Sequence, residues 1–255
     1  HCADGTLGLP LWESRSLPVT FRSKSSFTLT SFIIFILLCE DFMSNFLNRG
    51  FILSLDYLSD NNSVNAYIVN KFVLSLNGLL DRVVAVKINS YNLILDIKHS
   101  TNIPVIGYIN RIYPNSFVNI TPTINEIHEL AKAGAEIIYL DASMKIRPNN
   151  QIIHEFYYKI KSVFPELRFI GEVSSLEDIK NIRDLNFDAI SIKGDFDLIN
   201  FEELKSLDIP LIFNYTYKKV LDCNNIFNMG FNNVIISSKF CTPQYKINEF
   251  IQNIF

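Results

Sequence analysis

The chain has 255 residues, of which 48% are hydrophobic and 19% charged, and its formal net charge is −3. It is long enough to bury one sizeable core, and it lacks the long Lys/Arg block that would indicate binding to nucleic acid or to an anionic membrane by charge. Its four cysteines are scattered without a CxxC pair. We therefore expect reduced thiols in a cytoplasmic protein, with no metal site and no cofactor.

Residues 1–42 differ in character from the rest of the chain. They combine early Gly and Pro residues, a Ser/Thr-rich stretch and an apolar run at 32–39. That run is too short to span a bilayer, which takes about 20 apolar residues. We predict that 1–42 is a non-native or disordered extension ahead of Met43. A signal or anchor segment and a genuine N-terminal extension are the alternatives.

From Met43 onward, short apolar runs alternate with segments of helical spacing. The runs predict strands at 51–55, 82–88, 104–109, 136–141, 168–172, 188–192, 210–213 and 233–236. The intervening segments predict helices at 65–80, 91–99, 123–133, 150–164, 175–184, 201–206, 218–229 and 242–254. Ser90 and Thr123 are expected to cap their helices, with Glu126 completing a capping box, and Gly230 is expected to close the helix before it.

This alternation predicts a parallel sheet covered by helices. Strands that are apolar throughout are buried on both faces, as in α/β proteins. Eight strand–helix units in 43–255 favour a single (β/α)8 TIM barrel, and an open doubly wound sheet is the alternative. In a barrel the active site lies at the C-terminal ends of the strands.

Polar residues follow the predicted strands. The set is Asp56, Lys87, Asn89, Asn110, Arg111, Asp141, Glu172, Lys193, Asn214, Ser237 and Ser238. Some polar residues occur at strand ends in any barrel, because strand ends meet water. The mixture of three cations with three carboxylates goes beyond that expectation, and it suits a phosphorylated or polyhydroxylated ligand.

The segment 104–148 carries the most specific motifs. It reads PVIGYINRIY at 104–113, ITPT at 120–123, YLDAS at 139–143 and RP at 147–148. These resemble PVIGIIKRDY, ITPT and ALDAT…RP of the bacterial N-acetylmannosamine-6-phosphate 2-epimerases, which are (β/α)8 enzymes of sialic-acid catabolism. The same register brings GFILSLD at 50–56, VKIN at 86–89 and GEVSSL at 171–176 onto the family's GLIVSCQ, IRAN and ADIST.

The resemblance implies a reaction and a site. The reaction is removal and return of a proton at the carbon beside a carbonyl of an opened amino-sugar phosphate, which needs a base with a tuned pKa. The resemblance implies a lysine for that role in the third strand and a glutamate near the sugar in the seventh. It implies that a glycine pair after the eighth strand holds the phosphate on backbone N–H groups.

The chain departs from the family at all three of these positions. Asn110 stands at the lysine position, Asn214 at the glutamate position, and Ser237 and Ser238 at the phosphate glycines. An amide cannot take up a proton near neutral pH. Further departures are Asp56, Lys87, Ile112, Tyr215 and the run 191–193. Among the retained positions, Asp141 has an implied catalytic role. Those with an implied substrate-binding role are Ser54, Asn89, Arg111, Tyr113, Thr121 and Arg147.

Three hypotheses follow for the function. The first is a working epimerase with a rearranged base, Lys193 or Lys87. The second is a relative that has lost catalysis and still binds an amino-sugar phosphate, and the third is a barrel kept as a scaffold or interaction module. A different reaction on the same fold is also open. The resemblance allows a homodimer, and we expect neither nucleic acid nor membrane as a partner.

Overall fold

The protein forms a closed eight-stranded parallel barrel, as the sequence predicts. The computed structural model describes residues 49–55, 83–193, 204, 208–215 and 223–237. The strands are β1 Gly50–Ser54, β2 Val83–Ile88, β3 Val105–Gly107, β4 Ile137–Asp141, β5 Arg168–Val173, β6 Ala189–Lys193, β7 Leu211–Asn214 and β8 Asn233–Ser237. Each strand pairs in parallel with its sequence neighbour, and β1 pairs with β8 to close the sheet. The open-sheet alternative is therefore wrong.

Five α-helices lie within the described part of the chain. They are α1 Tyr91–Ser100, α2 Ile124–Lys132, α3 Ile153–Val163, α4 Leu176–Ile182 and α5 Cys223–Asn228. The predicted helices at 65–80 and 242–254 lie outside the described residues, as does all of the one at 201–206 except Leu204. None of the helices described is long and apolar enough to cross a membrane.

The predicted helix caps are confirmed. The Ser90 hydroxyl accepts a hydrogen bond from the Leu93 amide, and Thr123 forms a reciprocal capping box with Glu126. Ser175 caps α4. Gly230 follows α5 with φ of +106°, a conformation that favours glycine.

The predicted start of the helix at residue 150 is wrong. Pro148–Asn150 forms a short 3-10 turn, and α3 begins only at Ile153. Asn149 and Asn150 have φ values of 62° and 57°. These left-handed values interrupt a helix, and asparagine tolerates them better than most residues. Pro148 therefore belongs to a short turn before α3.

Two apolar layers hold the barrel together. The interior cluster draws at least one residue from each strand, including Ile52, Ala85, Tyr139, Ala189 and Ile235. The second and larger cluster joins the outward-facing strand residues to the helices. Strand residues alternate between these layers because successive side chains point to opposite faces of a sheet. Polar residues lie at the C-terminal ends of the strands, above the interior cluster.

Candidate active site

A cleft of about 350 Å³ opens at the C-terminal ends of β3 to β6. It is lined by Asn110, Phe117, Asn119, Ile120, Asp141, Ser143, Lys145, Glu172, Val173, Ser174 and Lys193. Four of the predicted site residues, Asn110, Asp141, Glu172 and Lys193, thus share one cavity. This is the end of the barrel at which (β/α)8 enzymes carry their active sites.

Glu172 is the most heavily bonded side chain of the cleft. It is 7% exposed, and its Oε2 accepts hydrogen bonds from the Tyr139 hydroxyl at 2.5 Å and from Asn214 Nδ2 at 3.2 Å. The other oxygen, Oε1, lies 3.4 Å from Lys193 Nζ. A buried carboxylate needs such partners because its desolvation is costly. These donors hold the carboxylate in one orientation.

Tyr139 lies at the centre of this cluster. Its hydroxyl is 2.9 Å from Ser191 Oγ and also accepts from Asn214 Nδ2 at 3.2 Å. Burial, followed by the nearby charge of Glu172, raises the pKa of the Tyr139 phenol well above its ordinary value. The phenol therefore stays protonated at neutral pH and acts as a hydrogen-bond donor.

Lys87 points into the barrel interior and does not line the cleft. The residue is 5% exposed, and its ammonium lies 4.0 Å from the centre of the Tyr108 ring and 4.4 Å from that of Tyr139. Aromatic faces attract cations, more strongly when water is excluded. Lys87 therefore adds a positive charge below the cleft.

Asn110, where the resemblance implies a lysine, is exposed at the cleft wall. Its backbone N–H donates to Asn89 Oδ1 at 3.0 Å, and the residue forms an antiparallel bridge with Ile120. Asn89 thereby fixes the backbone at the end of β3. The Asn110 side chain can donate or accept a hydrogen bond, but it offers no base.

Arg111 and Tyr113 bond to the cap of α2. Arg111 Nη1 lies 3.3 Å and the Tyr113 hydroxyl 2.5 Å from Glu126 Oε1. Glu126 is 1% exposed and also accepts from Thr123. Neither Arg111 nor Tyr113 lines the cleft. The Arg111 cation and the Tyr113 hydroxyl thus both stabilise a buried carboxylate in the first turn of a helix.

Thr121 and Arg147 hold the loops behind the cleft. Thr121 Oγ1 donates to the Tyr139 carbonyl at 2.7 Å. Arg147 is fully buried, donates to the carbonyls of Thr121 and Pro122 at 3.2 Å each and to that of Asp141, and stacks on Phe156. Burial lowers its pKa to about 10, against the opposing effect of the Asp141 charge.

The remaining predicted residues are at β1 and β8. Ser54 is 2% exposed and pairs in register with Ser237, the last residue of β8. Asp56 and Ser238 lie outside the described residues. Among the residues described, no group of three His, Cys, Asp or Glu side chains could hold a metal ion.

Sequence reasoning does not single out Tyr139 or Lys145. Lys145 lines the cleft from the loop after β4, where no strand-end pattern marks it. A signal exists for Tyr139, because the motif YLDAS has a tyrosine where the resembled motif ALDAT has alanine. An alanine-to-tyrosine change inside a barrel has to fill space and satisfy a hydroxyl.

The fold and the site together define a class. A closed (β/α)8 barrel with carboxylates, lysines and amides around a cleft at its C-terminal mouth has the architecture in which (β/α)8 enzymes carry their active sites. The family model described as "Putative N-acetylmannosamine-6-phosphate epimerase" matches residues 77–255. The chain belongs to this family.

Relatives and a solved structure agree with this assignment. A "Putative N-acetylmannosamine-6-phosphate 2-epimerase" of Borreliella burgdorferi is 27% identical over 223 residues, covering 82% of this chain and 95% of the relative. A protein of the same description from Listeria innocua is 26% identical over 219 residues, covering 80% and 94%. The solved N-acetylmannosamine-6-phosphate 2-epimerase from Clostridium perfringens is 26% identical with a TM-score of 0.68, covering 84% of this chain and 96% of its own.

Proposed function

We propose that the chain binds an N-acyl amino-sugar phosphate at the barrel mouth and does not epimerise it by the family's route through position 110. Family membership supports the ligand class. The main evidence against epimerisation by that route is the presence of amide side chains at Asn110 and Asn214. Neither amide can act as a general acid or base near pH 7, and Asn214 instead donates a hydrogen bond to Glu172.

The cleft offers partners for a sugar rather than a plain anion site. Asp141 has one oxygen fixed by the Ser143 amide at 2.8 Å, while Lys145 and Lys193 contribute positive charge at the wall. Amides and carboxylates suit the hydroxyl and N-acyl groups of a sugar, and the two lysines add positive charge that favours an anionic ligand. We assign the phosphate to the backbone N–H groups of Ser237 and Ser238.

The proposal extends to the protein's setting. The ligand belongs to amino-sugar and sialic-acid catabolism, and the protein is a cytoplasmic pseudoenzyme that works as a homodimer, without a cofactor and without nucleic acid or membrane. As a sensor or partner subunit, the protein would need to bind the ligand but would not need to convert it. The departures at Asn110 and Asn214 suit such a role.

Calorimetry with N-acetylmannosamine 6-phosphate and N-acetylglucosamine 6-phosphate tests the ligand class. We expect saturable binding, weakened in Asp141→Asn and unchanged in Glu166→Gln, which removes an exposed carboxylate from the loop before β5. Absence of saturable binding would overturn the proposal and favour the scaffold hypothesis. Incubation of the complex in D₂O tests turnover: we expect no deuterium at C2 above the buffer rate.

A rearranged epimerase is the second candidate, and one contact favours it. Lys193 Nζ lies in the same cleft as Asn110 and 3.4 Å from Glu172, and its side chain is 49% exposed, so it can reach a ligand. This candidate predicts deuterium exchange at C2 that disappears in Lys193→Gln. Lys159→Gln, an exposed lysine of α3, is the matched control and should exchange as wild type.

A further inference from the structure

We propose that Tyr139, buried beneath the cleft, is a positioning residue that fixes Glu172 as the acceptor for the sugar's hydroxyl or N-acyl groups. This inference rests on the proposed function, since it requires a sugar phosphate in the cleft. Its substance is a hydrogen-bonded cluster drawn from four consecutive strands. The cluster consists of Tyr139 on β4, Glu172 on β5, Ser191 on β6 and Asn214 on β7.

Strand register places Tyr139 at the right depth for this role. Tyr139 pairs with Ile170, whereas Asp141 at the rim pairs with Glu172. Tyr139 therefore starts two residues below the rim, which is roughly 6–7 Å deeper in the barrel. Its side chain spans that gap, so the hydroxyl reaches Glu172. Ala85 and Ala189 in the same interior cluster leave room for the ring.

The Tyr139 hydroxyl can donate its hydrogen bond to only one of its three neighbours in the cluster. Its oxygen accepts from Asn214 Nδ2, and the remaining lone pair faces Ser191 Oγ at 2.9 Å. Ser191 then donates, and the phenol proton goes to Glu172 Oε2 at 2.5 Å. A phenol has one donor and two acceptor sites, so every site is used. A saturated hydroxyl of this kind cannot rotate without losing a bond.

The cluster leaves part of Glu172 available for a ligand. Oε2 takes the two donors from Tyr139 and Asn214, while among the residues that the structure describes Oε1 has only Lys193, at 3.4 Å. An ionised carboxylate has about four acceptor sites. Within the described part of the chain, Oε1 therefore keeps a free acceptor position, and Glu172 lines the cleft where a ligand would bind. This acceptor position suits an O–H or N–H donor and repels phosphate, so its contribution should be to recognition of the sugar.

The aromatic ring of Tyr139 also contacts Lys87, and the experiment must separate this contact from the hydrogen bond that the hydroxyl donates to Glu172. The ring face lies 4.4 Å from the buried Lys87 ammonium. Tyr139→Phe removes the hydroxyl and keeps the ring, so the cation–π contact and the packing are preserved. Tyr157→Phe is the matched control, because Tyr157 is a buried tyrosine of α3 whose hydroxyl donates to the Asn186 carbonyl away from the cleft.

Calorimetry with N-acetylglucosamine 6-phosphate, N-acetylmannosamine 6-phosphate and inorganic phosphate tests the inference. We expect Tyr139→Phe to weaken both sugar phosphates by roughly ten- to a hundredfold, the scale of a hydrogen bond to a charged group. Binding of inorganic phosphate should not change, and Tyr157→Phe should match the wild type for all three. Wild-type affinity in Tyr139→Phe overturns the inference. Equal weakening of all three ligands overturns it too, because that indicates general disruption.

A ligand-free measurement separates this inference from the proposed function. In the unliganded protein, we expect an NMR resonance for a buried hydroxyl proton that is absent from Tyr139→Phe and displaced in Glu172→Gln. If the wild type binds no sugar phosphate, the proposed function fails, while this resonance still supports the positioning of Glu172 by Tyr139. Absence of the resonance from the wild type, or an unchanged position in Glu172→Gln, overturns the positioning role.

Discussion

The side-chain amide of Asn214 lies 3.2 Å from Glu172 Oε2 and donates a hydrogen bond to it. The resemblance to the family implies a glutamate at position 214, which would bring a second carboxylate to this point. Two carboxylates so close together cannot both ionise without a large cost. Asn214 therefore fits the present neighbourhood of Glu172, and the departure at 214 is part of a connected arrangement.

Asn214→Glu, which introduces the residue that the resemblance implies, should destabilise the protein. The introduced carboxyl would face Glu172, costing about 1–3 kcal/mol of unfolding free energy at neutral pH. Repulsion raises the pKa of the introduced carboxyl in the folded state, so the penalty is present at neutral pH and disappears as pH falls through that raised value. Urea unfolding at several pH values measures this. Asn214→Gln is the control, because glutamine has the length of glutamate without its charge. Equal stability of the two variants at neutral pH would contradict the prediction.

Asn110→Lys should confer proton exchange at C2 of the bound sugar phosphate. Asn110 lines the cleft and is exposed, so a lysine there can reach the ligand. A general base typically contributes about 10²–10⁴ in rate. Deuterium incorporation from D₂O measures the gain, and Asn110→Gln provides a longer side chain without a base. Unchanged exchange despite intact binding would mean that positions 214 and 237–238 also limit the reaction.

Alkaline pH should destabilise the protein through its buried tyrosines. Burial raises the pKa of Tyr139 and of Tyr157, with nearby charges of Glu172 and Asp188 adding to the effect. Because the unfolded chain loses these protons near its ordinary pKa of about 10, each phenol's stabilising contribution is full below that value and is lost above it, by up to about 1.4 kcal/mol per pH unit. Urea unfolding from pH 8 to 11 should show this decline.

A single substitution isolates the tyrosine contribution to that decline. Tyr157→Phe should flatten the pH dependence of the unfolding free energy above pH 10, because it removes one such phenol. Tyr158→Phe, at an exposed neighbouring position, should leave the slope as in the wild type. An identical slope in wild type and Tyr157→Phe would be evidence against the buried phenol as a source of the loss.

Tyr113→Phe should affect stability and not ligand affinity. The Tyr113 hydroxyl donates to the buried Glu126 carboxylate at 2.5 Å, and removing one donor from a buried charge costs about 1–3 kcal/mol. For a domain of this size, the melting temperature should fall by roughly 2–4 °C per kcal/mol. Thermal unfolding and calorimetry with the sugar phosphates measure both quantities. Weaker binding at unchanged melting temperature would instead assign Tyr113 to the ligand, as the family resemblance implies.

The barrel was predictable because its signals are local. Continuous apolar runs mark strands that are buried on both faces, and Thr123 with Glu126 forms a capping box that can be read from spacing alone. The start of α3 was not, because Asn149 and Asn150 adopt left-handed values that sequence spacing does not indicate. Asparagine permits this conformation without requiring it.

The sequence predicts which residues lie at the cleft better than it predicts which hydrogen-bond partners they have. Strand-end counting brings Asn110, Asp141 and Glu172 into one cleft, as the structure has them. The same counting cannot tell that Arg111 turns to the cap of α2, or that Tyr139 reaches up from the layer below. Which partner a long side chain chooses depends on distances across the barrel between residues far apart in sequence.

The pairing of β1 with β8 has a consequence for how the protein is made. Gly50 lies opposite Asn233, and Ser54 opposite Ser237, so the first and last strands of the barrel are neighbours. During synthesis β1 emerges long before its partner, and its free edge stays open to pairing with other chains until β8 has left the ribosome. Contacts of such long sequence separation slow folding. The nascent chain is therefore most prone to aggregation before β8 docks, and a chaperone that shields the edge of β1 would help it most during that interval.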